Sequence, residues 1–216
     1  MCVCSPIGLF ITVTTFNSGV YVLQASVSRL PCLRYGDDII SDPDEIALYI
    51  DGTFRYPPMP YDNVAAARAC RDVFSKYSFY VKDVAHSADS LLAELRRLDA
   101  YLAESPYRFL CRDIPDHLDC IMLPKLHHIR VVAHVLKHFD IPPQLTAFWG
   151  YLAAAYETPA FRNSCPSDQE IVEHWQSKPE CPSLSKTAAA YYSIDAPARY
   201  SFDVPTGITA RQVAHQ

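Results

Sequence analysis

At 216 residues, half of them hydrophobic and a fifth charged, the chain has ordinary globular composition, with apolar surface enough for one large domain or two small ones. A formal charge of -5, with no basic stripe interleaved with aromatics, excludes a general electrostatic pull toward nucleic acid or anionic lipid. Eight cysteines are scattered through segments of helical pattern rather than a short loop-rich scaffold, so they read as thiols of a reducing compartment.

In chain order, Ile7 to Val27 is uncharged and about as long as a membrane span, yet Thr12, Thr14, Thr15, Asn17, Ser18, Gln24 and Ser26 interrupt it. The β-branched alternation of Ile11, Val13 and Thr15 favours a strand over a span. Leu30-Pro31-Cys32-Leu33 and Ile39-Ile40 flank a Tyr35-Gly36-Asp37-Asp38 turn, the pattern of two short strands. Ser41 before Pro43 and Asp44 reads as a helix cap, with Ile46, Leu48, Tyr49 and Ile50 on the helix that follows. Residues 56–61 are a proline-rich linker.

Beyond the linker the period becomes helical. Ala66, Cys70, Val73, Tyr77 and Val81 predict one long helix, and Leu91, Leu95, Leu98 and Leu102 the next. A third, largely buried helix carries Leu118, Ile121, Leu126, Ile129, Ala133 and Leu136, with Asp116 and Asp119 capping its start and Pro124 inside it. Leu145, Phe148, Trp149, Leu152 and Tyr156 make a fourth. Asp168, Gln169 and Glu170 cap and charge a short last helix ending near Trp175. Residues 178–216 show no helical apolar period and read as a loose tail. The histidines His127, His128, His134 and His138 lack a partner carboxylate in the pattern, and no metal site is expected of them. Strands first and helices after make an α+β chain with segregated halves.

Three blocks carry a specific resemblance: Asp119-Cys120-Ile121-Met122-Leu123-Pro124-Lys125-Leu126-His127-His128-Ile129-Arg130, then Phe148-Trp149-Gly150-Tyr151-Leu152, then Phe161-Arg162-Asn163-Ser164-Cys165-Pro166-Ser167-Asp168-Gln169-Glu170-Ile171. Together they resemble the chloride intracellular channel family, and the double histidine with Phe139-Asp140-Ile141-Pro142 is similar to its invertebrate branch. The resemblance implies an incomplete thioredoxin-like domain over residues 1–55 and an all-α glutathione-transferase-like domain over residues 62–177. In the first, Phe10 to Thr15 looks like the family's second strand. The strand and the redox-active helix start that should precede it do not fit into Met1 to Leu9. That gap implies no catalytic residue and no cofactor requirement.

What remains of the glutathione groove, by the same resemblance, is Leu30 and Pro31 at the family's cis-proline segment and Ser41 and Asp42 where relatives hold the γ-glutamyl group. For those last two, helix capping explains the residues without a ligand. The implied function is a cytoplasmic chloride intracellular channel-like protein with conditional membrane association, acting in chloride transport or in membrane trafficking and tubule formation. Its implied partners are membrane lipids, chloride, and cytoskeletal or trafficking proteins, with no nucleic acid. Two alternatives remain at this point: a glutathione-dependent oxidoreductase or transferase, and a non-catalytic scaffold working through its helical domain.

Overall fold

The computed structural model describes residues 32–35, 38–54, 59 and 63–212, and the chain divides into two units, Met1–Pro60 and Tyr61–Gln216. The strand expected at Phe10 to Thr15, together with Leu30 and Pro31, lies outside the described residues. In the first unit, β1 (Leu33–Tyr35) and β2 (Asp38–Ile40) pair antiparallel, Leu33 opposite Ile40 and Tyr35 opposite Asp38. Helix α1 (Pro43–Thr53) follows, opened by a proline whose missing N–H would have been an orphan in any case. Its cap is Asp42, which corrects the expectation for Ser41. The Asp42 carboxylate accepts from the amides of Asp44 and Glu45 at 3.0 and 3.2 Å, the two donors that an N-cap side chain reaches. Leu48 is exposed, and Ile46 is the buried residue of α1.

The second unit opens with α2 (Val64–Cys70) and α3 (Val73–Val81), where one long helix was expected. Asn63 caps α2 through its Oδ1, which accepts from Ala65 and Ala66 at 3.0 Å each. A turn at Arg71–Asp72 separates the two helices, for Asp competes with helical backbone and favours helix starts. Ser75 Oγ donates to the Asp72 carbonyl at 2.9 Å, within the new first turn. The apolar stripe nonetheless carries across the break: Ala66, Cys70, Val73, Tyr77 and Val81 are all buried.

Helix α4 (Asp89–Glu104) puts Leu91, Leu95, Leu98 and Leu102 into the core, one leucine per turn. Helix α5 (His117–Lys137) continues through Pro124 and ends at His138, whose left-handed backbone (φ 51°) closes a C-terminal cap through Phe139 N–H to the Ala133 carbonyl at 3.0 Å. Helix α6 (Thr146–Glu157) is buried on every side from Phe148 to Tyr156, the mark of a helix at the centre of its unit. Its N-terminus receives the Asp99 carboxylate, which accepts from Phe148 N–H at 2.8 Å. Then come α7 (Pro159–Ser164), α8 (Asp168–Gln176) and α9 (Lys186–Tyr191). Helix α6 packs against α4, α5 and α7, while α5 also meets α3 and α8.

The tail is not loose. Residues after α9 run back over the helices to Gln212, with Phe202, Val204 and Ile208 packed on the core and Ala210 buried. Arg211 N–H donates to the Gly150 carbonyl at 3.1 Å. Gly150 permits that approach: a Cβ there would stand 3.1 Å from Arg211 Cγ and 3.3 Å from the Thr209 carbonyl oxygen. The Arg211 guanidinium donates to the backbone carbonyls of Leu102, Ser105 and Tyr107, where α4 ends.

Candidate functional site

Of the four residues expected at a glutathione groove, only Ser41 and Asp42 are described, side by side between β2 and α1. Both are half-buried, and one carboxylate oxygen of Asp42 serves the α1 amides. The hairpin–helix order around them is that of the last ββα part of a thioredoxin-like domain.

The chemistry-bearing residues of the helical unit cluster at two places. The first is the start of α5. Asp116 accepts from Leu118 N–H at 2.9 Å and Asp119 N–H at 3.3 Å, while Asp119 returns the bond to Asp116 N–H at 2.9 Å. Both carboxylates are fully buried. Asp119 reaches further: it accepts from Leu110 N–H at 3.1 Å and from the Tyr151 hydroxyl at 2.6 Å. One side chain thereby joins the α4–α5 connection, the α5 start and the middle of α6. Burial raises its pKa against the pull of those hydrogen bonds. This cluster is structural.

The second place is the histidine pair. His127 is fully buried; its Nδ1 lies 3.0 Å from the Tyr156 hydroxyl and its Nε2 4.0 Å from the Asp168 carboxylate. Tyr156, Phe161 and Phe202 ring it, with centroids 5.6, 6.1 and 5.6 Å away. His128, half-buried, accepts from Trp175 Nε1 at 3.4 Å and faces His174. Burial is the main reason both imidazoles stay neutral: His127 drops from 6.5 to about 3, with the Arg130 and His128 charges adding to the effect, and His128 drops to about 4, helped by His174. His134 instead pairs with Asp140 at 2.7 Å on the surface. Among the described residues no group of three or more His, Cys, Asp or Glu is arranged to hold a metal.

The sign of the pH effect follows. Both folded-state values are depressed, so the stability these histidines lend is complete above about pH 6.5 and drains away as pH falls toward 4 and 3. Each group contributes a slope of up to about 1.4 kcal/mol per pH unit in that window. Asp119, raised, acts oppositely: its share is present at low pH and lost as pH climbs through its folded value. The net expectation is a urea midpoint that drops between pH 6.5 and 4.5, with a flatter profile in His127→Phe. A midpoint independent of pH over that range would contradict the neutral, buried imidazoles.

The cysteines offer no activated nucleophile where their protonation is resolved. Burial pushes the Cys70 thiol up to about 12, and Cys111 and Cys181 also rise, chiefly through burial. Near α8 the cap is Ser167, in a box with Glu170: Ser167 N–H donates to the Glu170 carboxylate at 2.8 Å, and Glu170 N–H to Ser167 Oγ at 3.3 Å. Asp168 and Gln169, expected to share that capping duty, are buried and turned to the tail instead, a role the sequence reading missed.

No family model matches the chain. Over 143 residues, 66% of its length, it is 43% identical to the chloride intracellular channel exl-1 of Caenorhabditis elegans. The match takes in 60% of that relative, so the chain spans about three fifths of the protein it resembles. Among solved structures, the CLIC homologue EXC-4 from C. elegans superposes with a TM-score of 0.74 at 22% identity, over 87% of this chain and 76% of that one. The dehydroascorbate reductase of Chlamydomonas reinhardtii gives 0.64 at 23% identity, over 74% and 78%. Leishmania TDR1, a trimeric glutathione transferase, gives 0.59 at 16% identity, over 80% and 42%. The last three establish a glutathione-transferase-like fold, an α+β chain whose later part is all helix. With that fold, and with 43% identity over 66% of its length, the chain is similar to the chloride intracellular channel exl-1.

Proposed function

We propose that this chain acts as a chloride intracellular channel-like protein that associates conditionally with membranes, in chloride transport or in membrane trafficking and tubule formation. The observation that carries the reading is the 43% identity to the chloride intracellular channel exl-1 over 143 residues. No helix among the described residues is long and apolar enough to cross a bilayer. Membrane entry on this reading therefore draws on residues other than an existing spanning helix, or on refolding of the helical unit.

The test is anion flux. Purified chain added to chloride-loaded liposomes should release chloride above the rate of protein-free vesicles, at neutral or mildly acidic pH. Flux equal to that of empty vesicles at both pH values removes the transport half of the proposal. Absence of co-flotation with the same vesicles removes the membrane half.

A further inference from the structure

The tail residues Pro197 to Asp203 lie over α5, α7 and α8 as an extended peptide lies in a receptor. The body reads their backbone with side chains. Gln169 Nε2 donates to the Pro197 carbonyl at 2.7 Å, while its Oε1 accepts from Arg199 N–H at 3.0 Å. Two residues on, Asp168 accepts from Ser201 N–H at 3.1 Å and from the Ser201 hydroxyl at 2.7 Å. The Arg199 carbonyl accepts from the Asp168 amide at 2.9 Å, and the Ser201 carbonyl accepts from the Arg130 guanidinium. Arg130 also pairs with Asp203 at 2.9 Å. Between these polar contacts, Phe202 enters an aromatic slot against His127, Tyr156 and the Arg162 guanidinium, which lies 5.4 Å over its ring.

These are features of peptide recognition: side chains that bond the backbone for affinity and a pocket for one anchoring ring, Phe202. Asp168 and Gln169 are buried polar side chains committed to a segment that sits in no helix or sheet. Within the segment itself, Phe202 N–H donates to the Tyr200 carbonyl at 3.0 Å. Arg199 also donates to the Tyr191 carbonyl at the end of α9 at 2.8 Å.

We propose that this face is a peptide-recognition groove, held here by the chain's own tail, and that its exchange occupant is the same segment of a second copy of this chain. The complementarity argues for that occupant: Arg130 against Asp203, Asp168 against the Ser201 backbone and hydroxyl, and an aromatic slot against Phe202 are all matched by a second identical tail. Exchange replaces each contact by its equal, so it costs little beyond association.

The probe is a labelled synthetic peptide of residues 196–212, titrated by fluorescence anisotropy into the full chain. Phe202→Ala in the chain loosens its own tail and leaves the groove intact, and Ser201→Ala does so more mildly; circular dichroism and a cooperative melt establish that each variant is folded. The peptide should bind a loosened variant saturably and at least about tenfold more tightly than the unaltered chain. Adding Gln169→Ala or Arg130→Ala to the loosened variant should remove about tenfold or more of that affinity.

Absence of saturable binding to both folded variants overturns the groove. So does binding that ignores Gln169→Ala and Arg130→Ala. Equal binding by an unrelated peptide keeping only a Ser–Phe–Asp triad overturns the second copy as occupant and points to a foreign partner.

Discussion

Asp119→Ala is expected to lower the stability of the helical unit by about 4 kcal/mol. The reasoning counts donors. Removing this carboxylate strands the amides of Leu110 and Asp116 and the hydroxyl of Tyr151 in a site that water does not reach. Each buried unsatisfied group costs about 1–3 kcal/mol, part of which local relaxation recovers. Asp119→Asn keeps the shape and one acceptor oxygen, and should lose about half as much. Tyr151→Phe should cost about 1 kcal/mol by itself, and less when Asp119 is already alanine, because the stranded hydroxyl is then gone. Urea unfolding of the four proteins completes the cycle. A loss below about 1 kcal/mol for Asp119→Ala would show that the three bonds do not act together.

The second large effect is at Arg211. Helix α4 ends at Glu104, and the Arg211 guanidinium donates to the Leu102 carbonyl in its last turn and to the Ser105 and Tyr107 carbonyls just beyond it. A positive charge at a helix C-terminus also meets the negative end of its dipole. Arg211→Ala should destabilise the unit by about 3 kcal/mol, chiefly from the lost charge-assisted bonds to three backbone carbonyls. Arg211→Lys should recover only a fraction, since an ammonium cannot fork across three carbonyls held by a planar guanidinium. Hydrogen exchange read residue by residue should show faster exchange in the last turn of α4 in Arg211→Ala. Unchanged protection there, together with an unchanged urea midpoint, would refute the cap.

Where burial follows a helical period, the sequence shows it. Leu91, Leu95, Leu98 and Leu102 announce α4, and the Asp116–Asp119 pair announces the start of α5. The same reasoning joined α2 to α3, because an apolar stripe continues across the Arg71–Asp72 turn without registering the break. It placed the α1 cap on Ser41 where Asp42 serves, a one-residue shift that turns on where the first helical residue falls. The groove residues were expected from resemblance alone, and Leu30 and Pro31 lie outside the described residues.

The tail was misread for a physical reason. Its structure rests on side chains meeting distant backbone, and no local period records such contacts. Gln169 and Asp168 look like ordinary first-turn residues until Arg199 and Ser201 are placed against them.

The Arg211 clamp also constrains how the protein is made. Leu102 and Arg211 are separated by 109 positions, so a nascent chain has α4 complete long before the residue that closes its end has been synthesised. Until then the helix has a frayed terminus and the Gly150 side of α6 lacks the segment that packs on it. Such sequence-distant closure slows the final folding step, and it leaves a window during translation in which chaperones meet an unfinished helical core.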